Sequence, residues 1–279
     1  MMNGEVPEFD CYELAPRQCS HCVCVFVINE GQRLLSQLER MKPLSRVVDI
    51  IIADGGSDDG STKLELLRAR NVNTLLVKTG SGRLGAQMRM AFSFALDRGY
   101  EGVVTIDGNG KDGVEAIPSF VDRLREGWDH IQGSRFIPGG ASENLPPSRW
   151  AGVKLVHAPL IRGACGFGYT DTTNGFRGYS AGLLRDKDIG VFRSVFAGYE
   201  LHYYLAIQAA QKGYRVLEVP VSRRYPAKGP LLSKISPLKG NAEVLRRLFD
   251  ACLGRYDRHP PENKSLPMLP WMWWKGVTK

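Results

Sequence analysis

Apolar positions in the first half of the chain follow two alternating patterns. Short β-branched runs at residues 23–28, 47–53, 74–78, 103–106 and 130–133 read as strands. Between them, spacing near 3.6 predicts helices. The helix at 30–41 carries Leu34, Leu35 and Leu38, with Asn29 as its cap and Pro43 as its stop. A second helix is expected at 62–70. The helix at 84–98 sets Leu84, Met88, Ala91, Ala95 and Leu96 on one face, with Gly99 just past its end. In the helix at 114–125, Pro118 marks a kink or a break. The run at 47–53 is apolar enough to be covered on both faces. Strands alternating with helices predict an α/β fold with a mostly parallel central sheet, helices on both faces and right-handed crossovers.

The second half is less regular. Residues 137–147 form a Gly/Pro-rich loop, and 148–164 a helix kinked before Pro159. A helix at 200–213 and a strand at 215–219 follow. After Tyr225 the chain turns basic, an amphipathic helix is expected at 240–253, and the end is rich in Trp. This divides the chain into an N-terminal extension (1–22), a catalytic α/β domain (23–225) and a basic C-terminal segment (226–279).

The 279 residues suffice for one large core, and 43% hydrophobic with 24% charged residues is a globular composition. No run approaches the ~18 consecutive apolar residues of a membrane span. The N-terminus lacks a basic stretch before an apolar one, so a cytoplasmic location is expected. A net charge of +8 favours anionic partners. The tail residues Trp271, Trp273, Trp274 and Lys275 suit either a membrane interface or packing on the domain. No nucleic-acid recognition motif is present. Cys19, His21, Cys22 and Cys24 are grouped as zinc ligands sometimes are, but Cys22 and Cys24 enter a strand and read as buried apolar residues.

Candidate chemistry lies at two strand ends. Asp54 closes the run at 47–53 and opens the turn DGGSDDGS, which contains Asp58 and Asp59. Asp107 closes the run at 103–106 and opens DGNGKD. In parallel sheets ligands bind beyond the carboxyl ends of the strands. Carboxylates gathered there are costly to desolvate unless paired or bound to metal. Gly80, Gly82 and Gly85 spell G-x-G-x-x-G, the dinucleotide fingerprint, but they follow the third strand instead of the first, and without a metal the acidic clusters would repel a pyrophosphate.

Eight segments occur in the order and spacing of family 2 glycosyltransferases: VFVINEG (25–31), IIADGGSDDGS (51–61), GRLGAQMRMAFSFALDRGY (82–100), VVTIDGNGKDGVEAI (103–117), GSRF (133–136), DTTNGFRGYS (171–180), GYEL (198–201) and KGYRVLEVPV (212–221). The chain thus resembles that family, and within it the dolichyl-phosphate mannose or glucose synthase branch. The resemblance implies the GT-A fold and inverting transfer of a hexosyl group from a UDP- or GDP-sugar to a polyprenyl phosphate. A sugar hydroxyl in surface-polysaccharide assembly is the alternative acceptor, and a non-catalytic nucleotide-sugar binder the alternative function.

The resemblance also assigns residues. Asn29, Glu30, Asp54 and Arg83 fall at donor-pocket positions. Asp107, Gly108 and Asn109 match the Asp-x-Asp signature that holds Mg2+ or Mn2+, with Asn109 departing from it and removing one negative charge. Asp112 stands either as a compensating ligand or as a solvated loop acid. Glu200 matches the acidic base of inverting members. Arg223, Arg224, Lys228, Ser233 and Lys234 match a basic loop over donor and lipid phosphate, with Arg224 and Lys234 expected to take part in catalysis. Arg135, Arg177, Asp171, Thr172 and Asn174 are expected contacts to phosphate, sugar or acceptor. The protein is expected to act at the cytoplasmic face of a membrane as a peripheral enzyme.

Overall fold

A computed structural model describes residues 5–227 and 239–258. Strand β2 (His21–Val27) lies at the centre of the sheet and is buried along its whole length. Its period-two alternation serves two cores at once. Cys22, Cys24 and Phe26 pack on one face against α3 (Leu84–Asp97). Val23, Val25 and Val27 pack on the other against α1 (Gln32–Met41). The two cysteines are free and buried in this layer, as the strand pattern implied.

The remaining strands are β1 (Phe9–Glu13), β3 (Asp49–Asp54), β4 (Val72–Lys78), β5 (Gly102–Asp107), β6 (His130–Ser134), β7 (Ala141–Glu143), β8 (Arg177–Ser180), β9 (Val216–Pro220) and β10 (Ser222–Arg224). An eight-stranded sheet has the order β1-β4-β3-β2-β5-β8-β6-β9, and β7 pairs with β10 apart from it. Pairing is parallel through β4-β3-β2-β5 and β6-β9. It is antiparallel where β1 joins the edge and where β8 inserts between β5 and β6. The sheet is mostly parallel, as expected. The N-terminal segment, read as an extension, supplies the edge strand β1.

The expected helices form, with informative differences. The first begins at Gln32, not Glu30, because Asn29 is left-handed (φ 49°) and its side chain turns to the next loop. A short helix α2 (Leu64–Arg68) follows β3. The helix α3 is covered all round, since α8 (Glu200–Gln211) and residues 196–198 close its second side. Gly99 adopts φ +75° just past its end, and Tyr100 N–H bonds back to Ala95. Pro118 sits in the first turn of α4 (Ile117–Arg125), where its missing N–H costs nothing. The kink before Pro159 is a π turn at Gly152–His157, between α5 (Pro147–Ala151) and α6 (Ala158–Cys165). A one-turn helix, α7 (Ala181–Arg185), follows β8. The final helix, α9 (Lys239–Cys252), packs on α8 and α6 through Leu248, Ala251 and Cys252. Among the described residues no helix is long and apolar enough to cross a membrane.

Candidate active site

Parallel register fixes the site. Asp54 at the end of β3 lies opposite Val27, and Asp107 at the end of β5 lies opposite Phe26. The two acids therefore flank β2 at its carboxyl end, two strand spacings or about 10 Å apart. Gln87 from α3 holds that end together by donating to the carbonyls of Val27 (3.0 Å) and Ala53 (3.2 Å). Gln37 from α1 donates to the Asp107 carbonyl (3.0 Å) and accepts from Gly110 N–H (2.8 Å). Gly108 is required here, since a Cβ would stand 2.4 Å from Val27 Cγ1.

The two acids have different surroundings. Asp54 is buried, and its oxygens accept from Gly56 N–H, Ser57 N–H, Ser57 hydroxyl and Thr62 hydroxyl. That is a turn-forming role, in place of the donor contact expected of it. Asn29 belongs to the same construction: its Oδ1 accepts from Asp58 N–H, and its own N–H donates to Ser57. Asp59 accepts from Gly31 and Ser61. Glu30 pairs with Arg33 at 2.8 Å. Asp107 instead keeps a side chain 32% exposed and meets Arg223, whose Nη2 lies 3.1 Å from Oδ2.

Arg223 is held from below by Asp112, with Nη1 at 2.8 and 2.6 Å from its two oxygens. Asp112 is fully buried, so it is neither a solvated loop acid nor an open metal ligand. Burial pushes the Asp112 carboxyl up, while the guanidinium opposes it. Burial likewise disfavours charge on Arg223, but Asp112 and Asp107 outweigh it and hold Arg223 above the ordinary arginine range. We take the pair as ionised, because an arginine stays charged and its contact here involves both carboxylate oxygens. Lys111 stands beside it. Burial first, then the positive charges of Arg223 and Arg149, pull its ammonium below the ordinary lysine range, against Asp107. Tyr199, just before α8, is pushed up by burial and then by the negative charge of Asp107.

Several expected contacts are structural instead. Glu200 is fully buried, accepts from Gly198 N–H (2.5 Å), and is paired with Arg247 of α9. A base must reach the proton that it takes, and this carboxylate is spent on an ion pair beneath a helix. Arg177 is buried and donates to the carbonyls of Asn174, His202 and Thr172, so it braces the interior and is not open to a phosphate. Arg135 clasps Asp171 with Nε–Oδ2 at 2.6 Å and Nη2–Oδ1 at 2.8 Å, both side chains being buried. Its Nη1 reaches the Tyr225 hydroxyl, at 2.6 Å. Thr172 and Asn174 are buried in the same loop. Arg224 is exposed and pairs with Glu143. Arg83 is exposed and lies 3.4 Å from Glu243 of α9. Lys228, Ser233, Lys234 and the Trp-rich tail lie outside the described residues.

The glycines of the G-x-G-x-x-G run serve packing. A Cβ on Gly80 would stand 2.8 Å from Glu8 N, and one on Gly85 2.6 Å from the Phe196 carbonyl. Gly82 has φ +105°.

The Asp-x-Asn pair can be tested for a divalent cation, which needs oxygen ligands. Asp107 Oδ2 already accepts from Arg223 and from Asn109 Nδ2 (3.3 Å). Lys111 N–H can only donate, so the Asn109 amide oxygen faces it (3.2 Å) and the amide nitrogen faces Asp107. A dication about 4 Å from the guanidinium would meet a repulsion of roughly 8 kcal/mol at an effective dielectric near 20. As arranged, Asp107 Oδ2 and the Asn109 amide are engaged with Arg223 and Lys111, and the expected ligand pair does not present itself to a divalent ion.

The mostly parallel sheet, with an exposed acid at the carboxyl end of a central strand, has the form expected of a GT-A glycosyltransferase, and comparison with known proteins shows that class. No family model matches the chain. An undecaprenyl-phosphate mannosyltransferase of Micrococcus luteus is 31% identical to it over 200 residues, covering 70% of this chain and 79% of that protein. A polyprenol monophosphomannose synthase of Mycolicibacterium smegmatis is 30% identical over 204 residues, covering 72% and 76%. A dolichyl-phosphate hexose transferase of Haloferax volcanii is 28% identical over 225 residues, covering 81% and 90%. Among solved structures, glucosyl-3-phosphoglycerate synthase of Mycobacterium tuberculosis, crystallised with Mn2+, UDP and glucosyl-3-phosphoglycerate, superposes with a TM-score of 0.59 over 84% of this chain and 79% of that one. At 17% identity that likeness concerns the fold. The chain belongs to the glycosyltransferase family that includes these polyprenyl-phosphate sugar transferases.

Proposed function

We propose that this protein transfers a hexosyl group, with inversion, from a UDP- or GDP-sugar to a polyprenyl phosphate. The observation that carries the reading is the division of charge at the site. Glu200, the expected base, is closed off by Arg247, while Arg223 and Lys111 stand beside the exposed Asp107. A hydroxyl acceptor needs a base to take its proton; a phosphate monoester is already anionic and needs cations. In the reaction an acceptor phosphate oxygen donates an electron pair to the anomeric carbon. The bond from that carbon to the donor diphosphate breaks, and the nucleoside diphosphate leaves with the bonding pair. The names of the relatives support the acceptor class. The Mn2+ and UDP of the solved neighbour support a diphosphate donor. No step in this reading passes through a metal, because the Asp107–Asn109 pair is occupied as described.

A lipid acceptor places the enzyme at a membrane surface, and we assign it to the cytoplasmic face as a peripheral protein. A hollow lined by Arg135, Phe136, Leu145, Pro147 and Trp150 offers apolar wall beside the site. Trp150 and Leu155 are exposed on the adjoining helix, which also carries Arg149 and Lys154. The test is incubation with radiolabelled UDP- and GDP-hexoses and a short polyprenyl phosphate, followed by solvent extraction. The reading expects label in the organic phase with one donor; label in the organic phase with neither donor contradicts it.

A further inference from the structure

The geometry of Arg223 carries a more specific conclusion, which rests on the proposed donor chemistry and deepens it. Arg223 lies on β10, which runs parallel to β7 and also makes a backbone bridge to Asp112. Its side chain is clamped from two directions: Asp112 takes Nη1 through both oxygens, and Asp107 takes Nη2 at 3.1 Å. The Asp112 side chain is 0% exposed and that of Arg223 10% exposed. A buried carboxylate with both oxygens on one guanidinium fixes that guanidinium in place. The group is thus a cation built into the position where Asp107 faces solvent.

Asn109 completes the arrangement. Replacing the second acid of the signature by an amide removes a negative charge beside Asp107, and the amide then donates to the same carboxylate oxygen as Arg223. The loop is balanced without a dication: Asp107 and Asp112 face Arg223 and Lys111. An anion arriving at Asp107 meets the Arg223 guanidinium on the strand side of the site.

We propose that Arg223, clamped by Asp112, is the resident cation of the donor site and stabilises the leaving diphosphate in place of a divalent metal. Arginine suits the task because it remains protonated and carries five N–H donors, of which the contacts to Asp112 and Asp107 take three. Asp112 is then a positioning residue, and Asp107 orients the guanidinium without chelating a metal.

The experiment uses the full chain, stripped of metal. Binding of UDP- and GDP-hexoses is measured by calorimetry, and transfer to a polyprenyl phosphate by extraction, each in EDTA and in saturating Mn2+. The proposal expects wild-type affinity and rate to differ by less than about threefold between the two conditions. Arg223→Met should weaken donor binding by about tenfold or more in EDTA, and Mn2+ should recover part of the loss because Asp107 is uncovered. If the buried Asp112 prevents that variant from folding, the double variant Arg223→Met/Asp112→Asn removes both charges, and a circular-dichroism melt verifies its fold. Wild-type binding or transfer that falls more than about tenfold in EDTA and returns with Mn2+ overturns the proposal while leaving the transferase reading intact. Wild-type protein that binds neither donor class in either condition overturns both.

Discussion

Arg247 of α9 reaches across to Glu200 in the first turn of α8, so the acid expected to act as base is instead the anchor of the C-terminal helix. Arg247 also holds Glu243 at 2.7 Å, and Glu243 faces Arg83. The chain thereby ties α9 to the start of α3 and α8 through one ionic string. Glu200→Gln should lower the melting temperature, because Arg247 loses its buried charge partner and keeps only Glu243, at a cost of about 1–3 kcal/mol. Turnover with a phosphate acceptor should fall by less than about tenfold. Melting curves and initial rates on the same preparation decide it. An unchanged melting temperature with a rate loss above about a thousandfold would restore Glu200 as a base.

The Arg135–Asp171 clasp makes a separate prediction. Both side chains are buried, and the clasp joins the end of β6 to the loop before β8. Breaking it from one side, as in Asp171→Asn, should cost about 3–5 kcal/mol, whereas Arg135→Met/Asp171→Leu should recover most of that loss. Urea denaturation of the three proteins gives the coupling. Equal destabilisation by the single and double variants would show that the loop, not the charge pair, sets the stability.

Much of this was legible in the chain, and the reasons for the rest are physical. The strand ends at Asp54 and Asp107 were readable because buried parallel strands write continuous apolar runs. The edge strand β1 was not, since its residues are mostly exposed and carry no alternation. The insertion of β8 was hidden because four residues, RGYS, are too short for any period. Site chemistry was harder still. The family resemblance makes Arg177 and Arg135 expected phosphate contacts, and only tertiary packing shows them buried. The Arg223–Asp112 pair joins residues 111 apart, and no local pattern announces such a pair. No local pattern marks Lys111, Arg149 or Tyr199 as neighbours of Asp107 either. Arg247 left one trace, its spacing of four from Glu243 on an amphipathic helix.

Histidines give the molecule an acid limit. His130 and His202 are held well below the ordinary range by burial first and then by Arg177, with His130 also acting on His202. His130 packs edge-on against Tyr169 and Tyr179. Burial brings His157 down to about 4. Below the unfolded value near 6.5 the unfolded chain binds protons that the folded chain refuses, so stability should fall with pH by up to roughly 1.4 kcal/mol per unit for each such histidine. Urea midpoints taken from about pH 7.5 to about pH 5 should decline, and His130→Phe should flatten the slope. A slope unchanged by that substitution removes His130 from the explanation.

The glycine after Asp107 should be intolerant. A Cβ on Gly108 would strike Val27 Cγ1 at 2.4 Å and crowd the Phe26 carbonyl at 3.2 Å, both in the central strand. Gly108→Ala must therefore displace the loop that carries Asn109 and Lys111, at a stability cost of about 1–3 kcal/mol. Donor affinity should drop by about tenfold or more, read by calorimetry. Unaltered donor affinity would detach this loop from the donor site.

The acceptor is the centre of the account, and the linkage of the product tests it most directly. Labelled lipid product from the transfer reaction should release its sugar under mild acid, as a glycosyl phosphate does, and should show an anomeric configuration opposite to that of the donor. Label that resists mild acid and behaves as an O-glycoside would mean that a hydroxyl had been the nucleophile, and would contradict the account.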